Sequence, residues 1–344
     1  MKIAFTPYIN TENQYIHIIR NLLQEIEGVE VVPFSIKSVL LLKSSVWRSQ
    51  FIWLNWYESV TNEFMAIVRL IVLPIMKIFG KRIIYVLHNK RTHKPGFNFF
   101  SALLQKVTIH FSDVIIVHSK ISEEEIPIKK RSKIKYIPHP NYCGIYGSII
   151  PKPKFNDDKL RLLFFGQLKP YKNIELLIDV VNELENSDIE LTIMGKPESN
   201  DYKNKLKNYI KNDKINFIFE FIEDKRIGET LSQYDLVVLP YNLESSLNSG
   251  TVILAFSYAI SVICPNIGTI NDLEETSFLT YTYTNRSEHL GNLKETILAA
   301  TNLKRSHNRI FEEWGEAMNI YVSKKHSHVE ICDKLEEIIN SKQS

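Results

Sequence analysis

The sequence predicts an α/β protein made of two doubly wound, Rossmann-like domains. Three observations predict it. Short β-branched and apolar runs alternate with helix-length segments. A proline-rich break interrupts the alternation near the middle, and the pattern then restarts. The 344 residues also suit two domains of roughly 100–200 residues each.

Lys2–Thr6, Val29–Phe34, Phe51–Leu54, Arg82–Leu87, Val114–His118 and Lys133–Ile137 read as strands. Helical segments occupy 12–27, 60–79 and 97–111 between them. Strands joined through helices run parallel, with helices covering both faces of the sheet. Pro138, Pro140, Pro151, Pro153 and the polar Asn156-Asp157-Asp158 then mark a linker. Beyond it, Leu160–Phe165, Glu190–Met194, Asn216–Phe219, Leu236–Leu239 and Ser261–Cys264 read as buried strands. Helical segments lie at 172–186, 200–211, 224–234 and 250–260, and closing helices near 286–302, 307–322 and 327–341. The domains expected are 1–150 and 151–325, with 326–344 a C-terminal helix able to return to the first domain. Ligands in such sheets bind at the carboxyl ends of the strands, here facing a cleft between the domains.

Composition narrows the class. With 44% hydrophobic and 24% charged residues, the chain is neither disordered nor collagen-like. Its 12 glycines are few, so flexible glycine linkers are not expected and the remaining glycines mark places where the backbone needs them. Cys143, Cys264 and Cys332 are too far apart for a metal knuckle and odd in number for a disulfide framework, which suits a reducing compartment. The N-terminus reads as a strand and not as a signal peptide. The apolar run Phe64–Phe79 is interrupted by Arg69, Pro74 and Lys77 and is too short to span a bilayer. Residues 1–150 hold 19 Lys and Arg against 10 Asp and Glu, and the remainder 23 against 29. A basic half and an acidic half suggest different partners, although charges that merely scatter unevenly fit as well.

Three segments carry chemistry. In Phe164 to Val181, FFGQLKPYKNIELLIDVV, a buried strand ends at Gly166, a basic loop follows, and a helix starts near Lys172. Such a junction aims backbone N–H groups and a helix N-terminus at an anion, and Lys169 and Lys172 add charge. An ordinary βα turn with solvated lysines fits the same residues. In Leu191 to Pro197, LTIMGKP, a second strand ends at Gly195 and Lys196. In Leu236 to Thr269, a strand ends at Pro240 and Tyr241, a polar loop runs to Gly250, and an apolar helix follows. Ser249, Gly250 and Thr251 at its start form a second anion site or a simple cap, and a cap can do both.

In this order and spacing the three segments resemble the donor-binding half of GT-B glycosyltransferases, particularly glycosyltransferase family 4. That family shows FxGrLxxxKG, a GxGp-like turn, and a PS/PY–E–G–EA–G–PV segment. The matching residues are Phe164, Gly166, Leu168 and Lys172, then Gly195 and Pro197, then Pro240, Glu244, Gly250, Ala255 and Val262. Gln167 stands where the family has Arg, Asn173 where it has Gly, and Ala259 lacks another family glycine. Leu254 occupies the place of the second glutamate of the family's E-x7-E pair. The resemblance covers 160–270 well and extends more weakly over the chain. FIWLNWYES (Phe51 to Ser59), IIYVLHNKRTHKP (Ile83 to Pro95), FSDVIIVHS (Phe111 to Ser119) and KIKYIPHPNY (Lys133 to Tyr142) resemble segments of bacterial surface-polysaccharide transferases, with Asn55 in place of a family His.

The resemblance implies GT-B architecture and transfer of a sugar from a UDP-, GDP- or other nucleotide-sugar to an acceptor hydroxyl, retaining and metal-independent, with no cofactor. It implies bacterial capsule, exopolysaccharide or lipopolysaccharide assembly, with a glycan or lipid-linked acceptor. Lys172 and the amides of Gly250 and Thr251 would stabilise the departing diphosphate, helped by Lys169 and Gln167, with Gly166 giving the backbone access. Gly195, Lys196, Tyr241 and Ser249 complete the donor set. Glu244 would hold the donor sugar and His88 would face the sugar or the acceptor. Trp56, Glu58, Asn89, His93 and His139 form the acceptor side, and His110 and His118 read as packing. Lys37–Phe51, rich in Lys, Arg, Trp and Leu, reads as a helix that either packs in the domain or rests on an anionic membrane. The location implied is cytoplasmic, at the inner face of the plasma membrane.

Other chemistries lack their residues. There is no DxD, GxSxG, P-loop or GxGxxG, and His326 and His328 lack the company a zinc site needs. No nucleic-acid module is present. A sugar-nucleotide epimerase of the same fold and a non-catalytic nucleotide-sugar-binding partner remain as alternatives.

Overall fold

The computed structural model describes all residues except 11–12, 61, 89, 91–97, 156, 185–187, 221 and 342–344. The chain divides into two compact units, Met1–Pro140 with His326–Ser344, and Asn141–Lys325. The division falls after Pro140, inside the proline-rich stretch that suggested a linker and ten residues before the expected boundary at 150.

The first unit holds a six-stranded parallel sheet: β1 (Lys2–Thr6), β2 (Glu30–Pro33), β3 (Phe51–Asn55), β4 (Arg82–Leu87), β5 (Val114–Val117) and β6 (Ile134–Tyr136). The strand order is β2-β1-β3-β4-β5-β6. Every residue of β3 and β5 is buried, as covering a parallel sheet on both faces requires. The helices are α1 (Gln14–Glu25), α2 (Ile36–Leu40), α3 (Ser44–Trp47), α4 (Glu63–Ile78) and α5 (Asn98–Phe111). Chain order reverses at β1, so the carboxyl ends of β1 and β3 flank the switch point where such sheets take ligands.

Lys37–Phe51 is not one helix. It forms α2 and α3, separated by Leu42 at φ 51°, a left-handed conformation that no helix can pass through.

The second unit repeats the plan with β7 (Leu160–Phe165), β8 (Ile189–Met194), β9 (Ile215–Ile218), β10 (Leu236–Val238), β11 (Ser261–Pro265) and β12 (Leu279–Tyr281). All are parallel, in the order β12-β11-β10-β7-β8-β9. Its helices are α6 (Ile174–Glu183), α7 (Asn200–Asn208), α8 (Ile227–Ser232), α9 (Gly250–Ser257), α10 (Gly268–Asn271), α11 (Arg286–Ser306) and α12 (Ile310–Lys325). Leu162, Phe164, Leu177, Ile193, Val238 and Ile297 stand at the centre of its apolar core. Here β7 lies between β10 and β8, so the loops after β7 and β10 border the switch point.

The closing helix α13 (His328–Asn340) belongs to the first unit and packs on α1. Among the described residues no helix is long and apolar enough to cross a membrane.

Candidate functional site

Two glycines open the second unit's switch point. Gly166 follows β7 at φ 121° and Gly195 follows β8 at φ 148°, conformations that L side chains rarely adopt. The Gly166 N–H donates to the Met194 carbonyl at 3.1 Å, and the Leu168 N–H to the Lys196 carbonyl at 2.9 Å. The Glu198 N–H donates back to the Leu168 carbonyl at 3.1 Å. These bonds sew the two loops together, and Lys196 contributes its carbonyl while its side chain stays exposed.

The stitched loop carries Lys172 inward. A short 3-10 turn, Pro170–Lys172, ends at Asn173 with φ 55°. Asn tolerates this left-handed conformation better than most residues, which explains how it replaces the family glycine. The Asn173 side chain donates to the Pro240 carbonyl at 3.0 Å, tying this turn to the end of β10. Lys172 itself is only 8% exposed. Among the described residues it makes no ion pair, and its ammonium lies 5.8 Å from the centre of the Phe164 ring. Burial and the charge of Lys169 lower its pKa to about 8. A Cβ built on Gly166 would stand 3.2 Å from the Lys172 ammonium and 3.9 Å from the Thr251 hydroxyl. The glycine backbone, the cation and the start of α9 therefore converge. Lys169 is half-buried beside this cluster, and Gln167 is exposed.

α9 begins with a built cap. The Val252 N–H donates to Ser249 Oγ at 3.1 Å, the Ser249 hydroxyl donates to Tyr241 at 3.2 Å, and the Ser249 N–H donates to Thr269 Oγ1 at 2.9 Å. Burial pushes the Tyr241 phenol well above its usual range, so it stays neutral. Capping fixes where the first amides of α9, those of Gly250 and Thr251, point, at the positive end of the helix. Glu244 lies exposed on the loop before α9, its N–H donating to Asn242 Oδ1 at 2.7 Å. Among the described residues no ion pair joins its carboxylate to Lys172. Leu254 is buried in α9 and offers no polar group in place of the second glutamate.

In the first unit, aromatic and imidazole rings gather beyond the ends of β3, β4 and β5. Asn55, paired in register with Val86, ends β3 and accepts at Oδ1 from His88 Nε2 at 3.1 Å. Its own amide donates to the Thr6 carbonyl at 3.1 Å, so the oxygen must face the imidazole. That fixes the His88 proton on Nε2 and makes Nδ1 the basic nitrogen. Trp56, at φ 46°, stacks on His88 at 4.0 Å and 17°. His118 Nδ1 donates to the Ile137 carbonyl at 2.8 Å, and its Nε2 accepts from the Tyr15 hydroxyl at 2.8 Å. His139 Nδ1 donates to the Pro140 carbonyl at 2.9 Å, and His326 Nδ1 to the His139 carbonyl at 2.7 Å. Burial lowers all four imidazole pKa values, and repulsion from neighbouring histidines adds to this for His88, His118 and His139, reaching about 4 for His118 and about 3 for His139. The cluster is neutral at physiological pH. Among the described residues no His, Cys, Asp or Glu group is arranged to hold a metal.

Glu58 differs from its sequence reading as an acceptor-side residue. It is buried and accepts from the Tyr85 hydroxyl at 2.8 Å, and burial raises its carboxyl pKa. Asn89 and His93 lie outside the described residues. Tyr15 and His326 join the cluster although the sequence offered no motif for them, and Asn55 joins it from the position where the resembling motif has a His. His118, read as packing, sits at its centre, and its strand-end position beside β4 was the available signal.

Residues 147–276 match the family model described as Glycosyl transferases group 1. A curated relative, the GDP-mannose:glycolipid 4-beta-D-mannosyltransferase of Xanthomonas campestris pv. campestris, is 34% identical over 106 residues. That stretch is 30% of this chain and 30% of the relative, so the match spans under a third of the relative's length. Among solved structures, Anabaena HepE in complex with UDP and glucose superposes with a TM-score of 0.71 at 15% identity, covering 99% of this chain and 100% of that one. Sucrose-phosphate synthase from Thermosynechococcus elongatus gives 0.70 at 12% identity, covering 98% of each. The two parallel six-stranded sheets with their flanking helices are the GT-B fold.

Proposed function

Proceeding from a GT-B chain whose residues 147–276 form a group 1 glycosyl transferase domain, we propose that this protein transfers a sugar from a nucleotide-sugar to a hydroxyl of a glycolipid or glycan acceptor. One observation carries the reading: Lys172, buried and with no ion-pair partner among the described residues, beside Gly166 and Thr251. An isolated buried cation is costly, and a diphosphate supplies the missing counter-charge. In the transfer, negative charge grows on the departing diphosphate. Lys172 and the first amides of α9 stabilise it without reorganising. The name of the Xanthomonas relative, which gives a nucleotide-sugar donor and a glycolipid acceptor, supports the same substrate classes.

The first unit takes the acceptor on this reading, with His88 and Trp56 at the ends of β4 and β3. Two stereochemical outcomes each have support. Retention follows from the resemblance to family 4, with the leaving phosphate taking the acceptor's proton. Inversion of an α-linked donor is favoured by the β in the relative's name and needs a base; His88, neutral but made weakly basic by burial and the neighbouring histidines, is the candidate that the first unit offers. The setting proposed is assembly of a bacterial surface polysaccharide or glycolipid.

Nucleotide-sugar turnover measured with and without a lipid-linked acceptor tests the reading. Donor consumption only with acceptor supports transfer, and the anomeric configuration of the product selects between retention and inversion. Donor interconversion without acceptor would instead mark an epimerase.

A further inference from the structure

The loop that carries Glu244 is anchored at both ends. Its far end is the cap of α9, where the Ser249 N–H meets Thr269 Oγ1 and the Thr269 N–H donates to the Leu247 carbonyl at 3.2 Å. Its near end is held by Tyr283, which lies two residues beyond β12 and outside the residues matched to the family model. The Tyr283 hydroxyl donates to the Tyr241 carbonyl at 2.9 Å and accepts from the Leu243 N–H at 2.9 Å. One phenol therefore spans Asn242. Asn242 in turn accepts from the Ser246 N–H at its carbonyl, at 3.0 Å, and from the Glu244 N–H at Oδ1, at 2.7 Å. The Glu244 backbone thus hangs from a turn that Tyr283 closes.

Tyr283 is itself fixed. Its ring stacks on His289 of α11 at 3.8 Å and 7°. His289 is buried, and its Nε2 shares a hydrogen bond with the Tyr281 hydroxyl at 3.0 Å. Burial and the charge of Arg286 lower the His289 pKa to about 4, so the supporting ring is neutral. Burial raises the Tyr283 phenol pKa, and the charge of Glu244 raises it further, so the carboxylate lies close enough to be felt at the hydroxyl.

We propose that Tyr283 is a positioning residue for the donor sugar: by closing the Asn242 turn it fixes Glu244 where the carboxylate accepts sugar hydroxyls, and so governs the hold on the sugar and not on the diphosphate. The inference rests on the transfer reading and on the role that the resemblance gives Glu244. Charge-assisted hydrogen bonds are strong and directional, and a misplacement of about 1 Å costs up to roughly a hundredfold in rate. With Leu254 in the place of the second glutamate, Glu244 has no carboxylate partner there, so the placement of its turn matters more. The diphosphate cluster has separate anchors, since Asn173 ties the Lys172 turn to Pro240 and Thr269 holds the cap of α9.

Tyr283→Phe keeps the stack and removes the hydroxyl. On the full chain, calorimetry with UDP and GDP should show an unchanged nucleotide affinity. The kcat/KM for a panel of UDP- and GDP-hexoses, with a lipid-linked acceptor, should fall by roughly tenfold. Asn242→Ala, which removes the side-chain acceptor of the Glu244 N–H, should reproduce this split. In a Glu244→Ala background, Tyr283→Phe should cost nothing further, because its effect passes through Glu244. An unchanged turnover, equal losses of nucleotide affinity and turnover, or a loss that persists in the Glu244→Ala background would overturn the inference and leave the transfer reading standing. An unaltered chain that binds neither nucleotide would overturn the transfer reading and the inference with it.

Discussion

The backbones of Gly166 and Gly195 touch: a Cβ on Gly195 would stand 1.9 Å from the Gly166 carbonyl oxygen. The contact lets the loops after β7 and β8 share hydrogen bonds and so fixes the loop that delivers Lys172. Gly195→Ala meets both this clash and a φ of 148°. Loss on the order of 3 kcal/mol is expected, read as a lower denaturant midpoint with an unchanged slope. An unchanged midpoint would mean that the two loops are not held as described.

Lys172→Met keeps the stem and removes the charge. Because burial lowers the Lys172 pKa from 10.5 to about 8, the charged form is disfavoured in the folded protein. The folded state then binds fewer protons than the unfolded chain between pH 8 and 10.5, and stability rises across that window. At neutral pH the methionine variant should be more stable by up to about 3 kcal/mol, yet retain less than a tenth of the turnover. Thermal unfolding paired with an activity assay checks both. A variant that is less stable and equally active would show a structural lysine.

Nucleotide affinity should depend on pH with a definite sign. A diphosphate favours protonated Lys172, so binding is flat below pH 8 and weakens above it, with proton uptake on binding near pH 8. Calorimetry in buffers of different ionisation enthalpy measures that uptake. Affinity that rises above pH 8 would exclude Lys172 as the cation.

The imidazole cluster makes the first unit acid-labile. The folded-state pKa values of His118 and His139 are depressed to about 4 and about 3, so the unfolded chain binds protons first as pH falls below 6.5. Stability is present above pH 6.5 and falls by about 1.4 kcal/mol per pH unit for each such histidine. His118→Phe should flatten the slope of unfolding free energy between pH 6.5 and 5. An unaltered slope would place the acid sensitivity elsewhere.

Asn55 should act through His88. Asn55→Leu removes the oxygen that holds the imidazole proton on Nε2. A fall in kcat of tenfold or more, with a displaced acidic limb of the pH–rate profile and little change in donor KM, is expected. Asn55→Gln should recover part of it. A uniform loss of folded protein in both variants would show a purely structural amide.

Much of this was legible in the sequence. Buried β-branched runs separated by helix-length segments define parallel sheets, and Gly166, Lys172, Gly195 and Gly250 stand at strand ends and a helix start where local motifs reveal them. Asn173 and Ala259 replace family glycines, yet both keep a left-handed φ of 55°, so the backbone demand outlasted the residue that usually meets it. The imidazole cluster was only partly legible, because Tyr15, His118, His139 and His326 come from distant segments that only the sheet brings together. The division of Lys37–Phe51 into two helices was not legible either, since it turns on Leu42, which carries no turn signal. Glu58 sits in a loop-like motif, and its burial depends on Tyr85, which lies 27 positions away.

The central claim is that Lys172, with the Gly166 turn and the start of α9, binds a nucleoside diphosphate. Thermal shift of the full chain and of Lys172→Met, titrated with UDP and GDP, tests it most directly. At a hundred times its dissociation constant, the bound nucleotide should stabilise the chain by about 2.7 kcal/mol and leave the variant unmoved. A flat response of the full chain to both nucleotides, or an equal response from the variant, would contradict it.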